Sequence, residues 1–194
     1  MNLLNLNFPK PQISKSEILR YANCKAADIS TSELLETTLD EIEDKISYKV
    51  CSAELSVKIS GDLCDFEVLN ITSKDLAKNL ENCKTALVFT ATLGTQIDRM
   101  IKKYSHISPA KALMLQAIGA ERIEALCDDF CKEYARNNGV SLRPRYSPGY
   151  GDLPLEFQKD IFAVLNCEKN IGVTLNGSLI MSPSKSVTAI VGIL

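Results

Sequence analysis

The chain has 194 residues, 45% of them hydrophobic and 24% charged, with 22 basic against 24 acidic side chains and a net charge of −2. That balance gives no extended field of one sign, so neither nucleic acid nor an anionic membrane is expected as a partner, and the length fits one domain or two closely packed lobes. The longest apolar run near the start, residues 1–6, is broken by asparagines; no signal peptide, transit peptide or membrane span is read, and a cytoplasmic location is expected.

In chain order, helices are expected over 14–22 and 30–47. The second opens with a capping-box pattern in which Ser32 or Thr31 caps and Glu33 and Glu36 fall in the first turn. Leu34, Leu35, Leu39, Ile42 and Ile46 recur at helical spacing and mark its buried face. Residues 53–59 and 64–69 alternate about Gly61-Asp62 as a β-hairpin does, and a short helix follows over 73–80. Residues 84–92 (KTALVFTAT) give the best strand signal, with a near-continuous apolar centre that predicts burial on both faces. This strand runs through Leu93-Gly94-Thr95 into a helix over 95–104.

Ser108 followed by Pro109 starts a long helix, 108–136, that ends near Asn137-Asn138-Gly139. Another helix is expected over 155–166. Residues 174–180 and 187–193 flank Ser182-Pro183-Ser184-Lys185 and are expected to form a second hairpin. The sum is a mixed α+β domain, helices packed on a mixed or antiparallel sheet fed by strands from both ends of the chain. A helical and hairpin part, 1–80, and a core, 81–194, are expected to make one compact domain.

Seven cysteines, at 24, 51, 64, 83, 127, 131 and 167, are an odd number without CxxC spacing, which reads as reduced thiols rather than a disulfide framework. Cys127 and Cys131 lie one helical turn apart, but with His106 the sole histidine they read as packed core thiols, not metal ligands. Arg99, Lys102 and Lys103 read as a solvated helix face rather than a docking patch for an acidic redox partner. Gly94 lacks a P-loop's lysine and glycine spacing and reads as a helix start on the same cleft as the loop described next.

That loop, residues 145–154, is Arg-Tyr-Ser-Pro-Gly-Tyr-Gly-Asp-Leu-Pro. Pro148, Gly149, Gly151 and Pro154 forbid a helix or regular strand and leave main-chain groups free for a ligand. Arg145 adds a fixed fork of donors suited to a carboxylate or phosphate. Function is expected here.

The pattern Arg145-x-x-Pro148-Gly149-Tyr150, followed by Gly172-x-x-Leu175-x-x-Ser178-x-x-Met181-x-Pro183-x-x-Ser186-Val187, resembles the activation domain of cobalamin-dependent methionine synthase. The resemblance covers the last 110 residues or so, weakly through Ala120–Tyr134 and Val88–Gly94 of the chain, and little of the first 80. It implies binding of S-adenosylmethionine, whose methyl group rescues an inactive cob(II)alamin with an electron from flavodoxin or a similar donor. By position, Arg145 would hold the methionine carboxylate, and the backbone of Tyr146, Ser147, Pro148, Gly149 and Tyr150 the adenosyl portion. Tyr150 would face the corrin and the methyl being moved, as the residue closest to the chemistry. Glu124, on the long helix, falls where the family has a glutamate in the same site; the residue alone reads equally as a solvated partner of a nearby Lys or Arg.

Two departures stand out. The family's loop continues Pro-x-Cys-Pro after its tyrosine, whereas this chain has Gly151-Asp152-Leu153-Pro154. No methionine-, folate- or cobalamin-binding module is read, which implies a free-standing form acting in trans on a separate methionine synthase that carries the cobalamin. The alternative is a non-catalytic sensor that binds S-adenosylmethionine or a corrinoid protein. The family's acidic ligand-contacting residue on the N-terminal arm has no evident counterpart.

Overall fold

The computed structural model describes residues 3–24 and 28–194. At its centre is a four-stranded antiparallel sheet of β1 (Leu3–Asn7), β2 (Lys49–Ser56), β6 (Thr85–Thr92) and β9 (Ser186–Ile193), in the spatial order β1-β2-β6-β9. Strand β6 pairs along its whole length on both sides, Lys49↔Thr92 to Ser56↔Thr85 with β2 and Thr85↔Ile193 to Thr92↔Ser186 with β9. Its apolar run is continuous because both faces are covered. Leu87, Phe89 and Ala91 belong to one buried cluster and Ala86 and Val88 to another.

The first cluster is covered by α1 (Lys15–Tyr21), α2 (Ile29–Ile42), α4 (Gln96–Ile107) and α5 (Pro109–Asn138). Helix α5 is the long element of the sequence pattern: Pro109 occupies its first turn, and Gly139, with φ +65°, ends it in a left-handed conformation. Phe130 of α5 meets Phe89 edge-on at a centroid distance of 5.0 Å. Arg122, 1% exposed, fixes the N-terminal arm to this helix: Nη1 donates to Pro11 O at 2.7 Å and Nη2 to Gln12 O at 2.6 Å, beside the Glu121 carboxylate.

The second face carries α3 (Lys74–Asn79), α6 (Gln158–Leu165), α7 (Cys167–Ile171) and a small sheet of β3 (Lys58–Ser60), β4 (Leu63–Asp65) and β5 (Asn70–Thr72).

Several expectations are corrected. The hairpin about Gly61-Asp62 is only β3–β4; residues 49–56 belong to the central sheet, and β5 adds a third strand to the small one. Residues 174–180 and 187–193 do not pair. Instead β7 (Thr174–Leu175) pairs with β8 (Met181–Ser182), and β9 departs to join β6. Asp28, not Ser32 or Thr31, caps α2, its carboxylate accepting from the Thr31 N–H at 2.8 Å; the α-helix stops at Ile42 and a 3-10 turn, Glu43–Lys45, continues it. The helix expected at 155–166 is a 3-10 turn, Leu155–Phe157, then α6, and left-handed Asn166 separates α6 from α7. Strand β1 has no counterpart in the sequence reading, because a five-residue Leu/Asn strand has no period distinguishable from an irregular N-terminus.

Candidate functional site

After Gly139 the chain turns back along the outer edge of β9. Leu142 bridges Ile193, the Arg143 N–H donates to Gly192 O at 2.8 Å, and Tyr146 exchanges main-chain bonds of 2.9 and 2.8 Å with Ile190. In that register the next hydrogen-bonded pair would be 148 with 188. Pro148 has no N–H to donate, so the pairing ends and the chain lifts away. Alternation along β9 turns the main-chain groups of Ser186 and Thr188 outward, like those of Ile190 and Gly192. A cleft of about 670 Å³ opens at that point.

Five segments meet in the cleft: Arg145 to Pro148 and Tyr150 from the loop, Leu155 and Gln158 from the 3-10 turn and the start of α6, Leu179 to Met181 and Ser184 from the chain before β9, Ser186 to Thr188 from β9, and Glu124 from α5. Within the loop, the Gly149 N–H donates to Leu153 O at 2.9 Å, Tyr150 N–H to Ser147 O at 3.2 Å and Leu153 N–H to Tyr150 O at 3.0 Å. Gly149 has φ +92° and Gly151 φ +53°. Pro148 and Leu153 are buried, whereas Tyr150 is 68% exposed.

Arg145 is the electrostatic centre. Its Nη2 donates to Glu124 Oε2 at 2.7 Å and lies 3.0 Å from Asp128 Oδ1, while Nη1 is buried and has no hydrogen-bond partner among the described residues. Burial alone would lower the guanidinium pKa, but the Glu124 and Asp128 carboxylates help hold it above its ordinary value. Burial drives the Cys127 thiol up and that of Cys131 to about 11, so both are protonated packing groups. The Tyr146 phenol is raised by burial, then by the Asp75 and Asp152 charges, and its hydroxyl donates to Tyr150 O at 3.2 Å.

Of the residues singled out from sequence, Arg145, Tyr146, Ser147, Pro148, Tyr150 and Glu124 line this cleft, and Gly149 shapes the turn without lining it. Gly94 is elsewhere, packed on Ser47. Asp128 was missed, although its place one turn after Glu124 on the same helix face was a usable signal. Ser186 and Thr188 were missed because the expected hairpin gave their strand a different partner. From the N-terminal arm, Glu17 lines an adjoining hollow that shares Glu124 with the cleft and also includes Asp128, and there it pairs with Arg20 at 2.7 Å.

The family model of the vitamin B12-dependent methionine synthase activation domain matches residues 69–193. The chain belongs to that family. A solved relative in fold is the MetH reactivation domain bound to AdoHcy, with a TM-score of 0.72 over 99% of this chain and 78% of that one, at 14% identity. The structural likeness thus extends over the first 68 residues, where the family model has no match. No curated protein matches the chain. In this activation domain the loop's divergent residues have partners of their own: the Asp152 carboxylate accepts the Lys74 N–H at 2.7 Å and the Asp75 N–H at 3.3 Å. Among the described residues, no helix is long and apolar enough to cross a membrane.

Proposed function

We propose that this activation domain binds S-adenosylmethionine in the cleft and supports reductive methylation of cob(II)alamin on a cobalamin-dependent methionine synthase supplied in trans, with flavodoxin or a similar protein as electron donor. The observation that carries the reading is Arg145. One arm of its guanidinium is tied down by Glu124 and Asp128, and the side chain lines the cleft, where a fixed guanidinium suits an anionic group. The methionine carboxylate is such a group. The two acids beside Arg145 suit the cationic end of the same molecule, and a cleft of about 670 Å³ is of the size that takes a small-molecule ligand.

The outward main chain of Ser186 and Thr188, with the loop from Tyr146 to Tyr150, offers donors and acceptors for the adenosyl portion. Tyr150 is exposed at the cleft, and is the residue we assign to meet a corrin brought by the partner. The sulfonium supplies an already activated methyl carbon. The residues of the chain therefore need to bind, orient and exclude water, and no general acid or base is required of them.

Titration calorimetry with S-adenosylmethionine should give saturable binding to wild type and a loss of about 2–5 kcal/mol in Arg145→Ala. Wild type mixed with cob(II)alamin-loaded synthase, a reductant and methyl-labelled S-adenosylmethionine should place label on cobalt. Absence of binding sinks the reading; binding without transfer leaves the sensor alternative in its place.

A further inference from the structure

We propose that two carboxylates outside the cleft, Asp152 and Asp98, are positioning residues that hold its loop and its turn in the form that accepts ligand. The inference rests on the cleft being the S-adenosylmethionine site. Neither carboxylate is among the residues lining it.

Asp152 ties the loop to α3. Its Oδ2 accepts the Lys74 N–H at 2.7 Å, and its Oδ1 accepts the Asp75 N–H at 3.3 Å and the Ser73 hydroxyl. The Ser73 hydroxyl oxygen in turn accepts the Leu76 N–H at 3.1 Å. Two side chains distant in sequence thus satisfy the free donors at the start of α3. The anchor is firm, because Leu76 and Leu80 are fully buried beneath it. With position 152 fixed, Leu153 N–H reaches Tyr150 O from one side and the Tyr146 hydroxyl reaches the same oxygen from another. The main chain of Tyr150 is thereby located without any ligand. Hydrogen bonding from Ser73 and the Lys74 and Asp75 N–H groups depresses the Asp152 pKa despite opposing desolvation, keeping it charged at neutral pH.

Asp98, in the first turn of α4, does the same for the turn before β9. Its Oδ2 accepts the Ser184 N–H at 2.7 Å and its Oδ1 the Ser184 hydroxyl. Next to it the Lys185 carbonyl accepts the Leu93 N–H at 3.0 Å, and the Lys185 stem crosses α5 at Gly119, where an added Cβ would lie 2.8 Å from Lys185 Cε. The Ser186 hydroxyl donates to Pro183 O at 2.8 Å. Ser184 and Ser186, both in the cleft, are held by bonds that none of the ligand's atoms need to supply.

A site assembled from a loop and a turn loses affinity by the fraction of molecules in which they are out of place. Loss of either carboxylate should therefore slow association with S-adenosylhomocysteine about tenfold and leave dissociation unchanged, since no ligand contact is removed. Stopped-flow binding of Asp152→Ala and Asp98→Ala measures this split. Asp98→Asn keeps an acceptor for the Ser184 N–H and can donate to the Ser184 hydroxyl, so it should recover most of the rate, whereas Asp152→Asn sets an NH2 group against a main-chain N–H and should recover less. Hydrogen exchange on the free proteins supplies a ligand-independent reading: Gly149, Tyr150 and Leu153 amides should exchange faster in Asp152→Ala, with β6 amides unaltered. Faster dissociation at unchanged association, unaltered loop exchange, or a rise in exchange spread equally over β6 each overturns the proposal. If wild type does not bind S-adenosylhomocysteine, the assignment of the cleft falls, and the exchange data alone decide whether Asp152 holds the loop.

Discussion

An alanine at position 151 would carry its Cβ into the Asp75 carboxylate and the Tyr146 hydroxyl, on a backbone with φ +53°. The left-handed conformation alone costs a non-glycine residue about 1–2 kcal/mol. Tyr146 is the residue whose hydroxyl holds the Tyr150 carbonyl, so the strain falls on the loop. Gly151→Ala is expected to lower stability in urea by about 1–3 kcal/mol and to weaken S-adenosylmethionine binding as well. Gly61→Ala, also at positive φ but with nothing within 4 Å of its added Cβ, should cost stability alone. At this scale the sequence was informative where chemistry is local. Arg145, Pro148 and Gly149 announce a fork, a ladder break and a turn by residue type. Asp152 announces nothing, because its partners lie 77 to 79 residues away, at Ser73, Lys74 and Asp75.

Among the helices, Glu41 links three. Its carboxylate accepts the Tyr104 hydroxyl of α4 at 2.8 Å and the Lys111 ammonium of α5 at 2.5 Å. The Lys111 hydrogen bond, then that of Tyr104, lowers the Glu41 pKa below its ordinary 4.5. A carboxylate with a folded pKa below its unfolded one stabilises the fold fully above the unfolded value, and that contribution is lost as pH falls through the folded value. Urea unfolding between about pH 5 and pH 3 should show a shallower acid decline in Glu41→Gln than in wild type; equal slopes would mean the cluster adds nothing. The helices themselves were legible because periodicity, Pro109 and Gly139 are written into short windows. The end of β9 was not. An apolar run such as Ser186–Ile193 says that a strand exists, while its partner, β6, is chosen by burial on two faces that no local window contains.

At the scale of the molecule, the sheet separates stability from binding. Strand β6 lies inside, with Phe89 fully buried against Phe130, whereas the cleft sits on the outer edge of β9 and draws on the loop and α5. Phe89→Ala removes a core ring and should cost about 3–5 kcal/mol of unfolding free energy. The cleft contains no atom of Phe89, so the variant, where still folded, should bind S-adenosylmethionine with wild-type affinity. Arg145→Ala should do the reverse, changing unliganded stability less than affinity. Ligand at about one hundred times its Kd should then raise the stability of wild type and Phe89→Ala equally, by about 2.7 kcal/mol, and leave Arg145→Ala nearly unmoved at the same concentration. Thermal unfolding of the three proteins with and without S-adenosylmethionine measures all of these terms together. An affinity loss in Phe89→Ala as large as that in Arg145→Ala would mean that the core and the β9 edge act as one unit, and that the cleft is set by the whole sheet rather than by its margin.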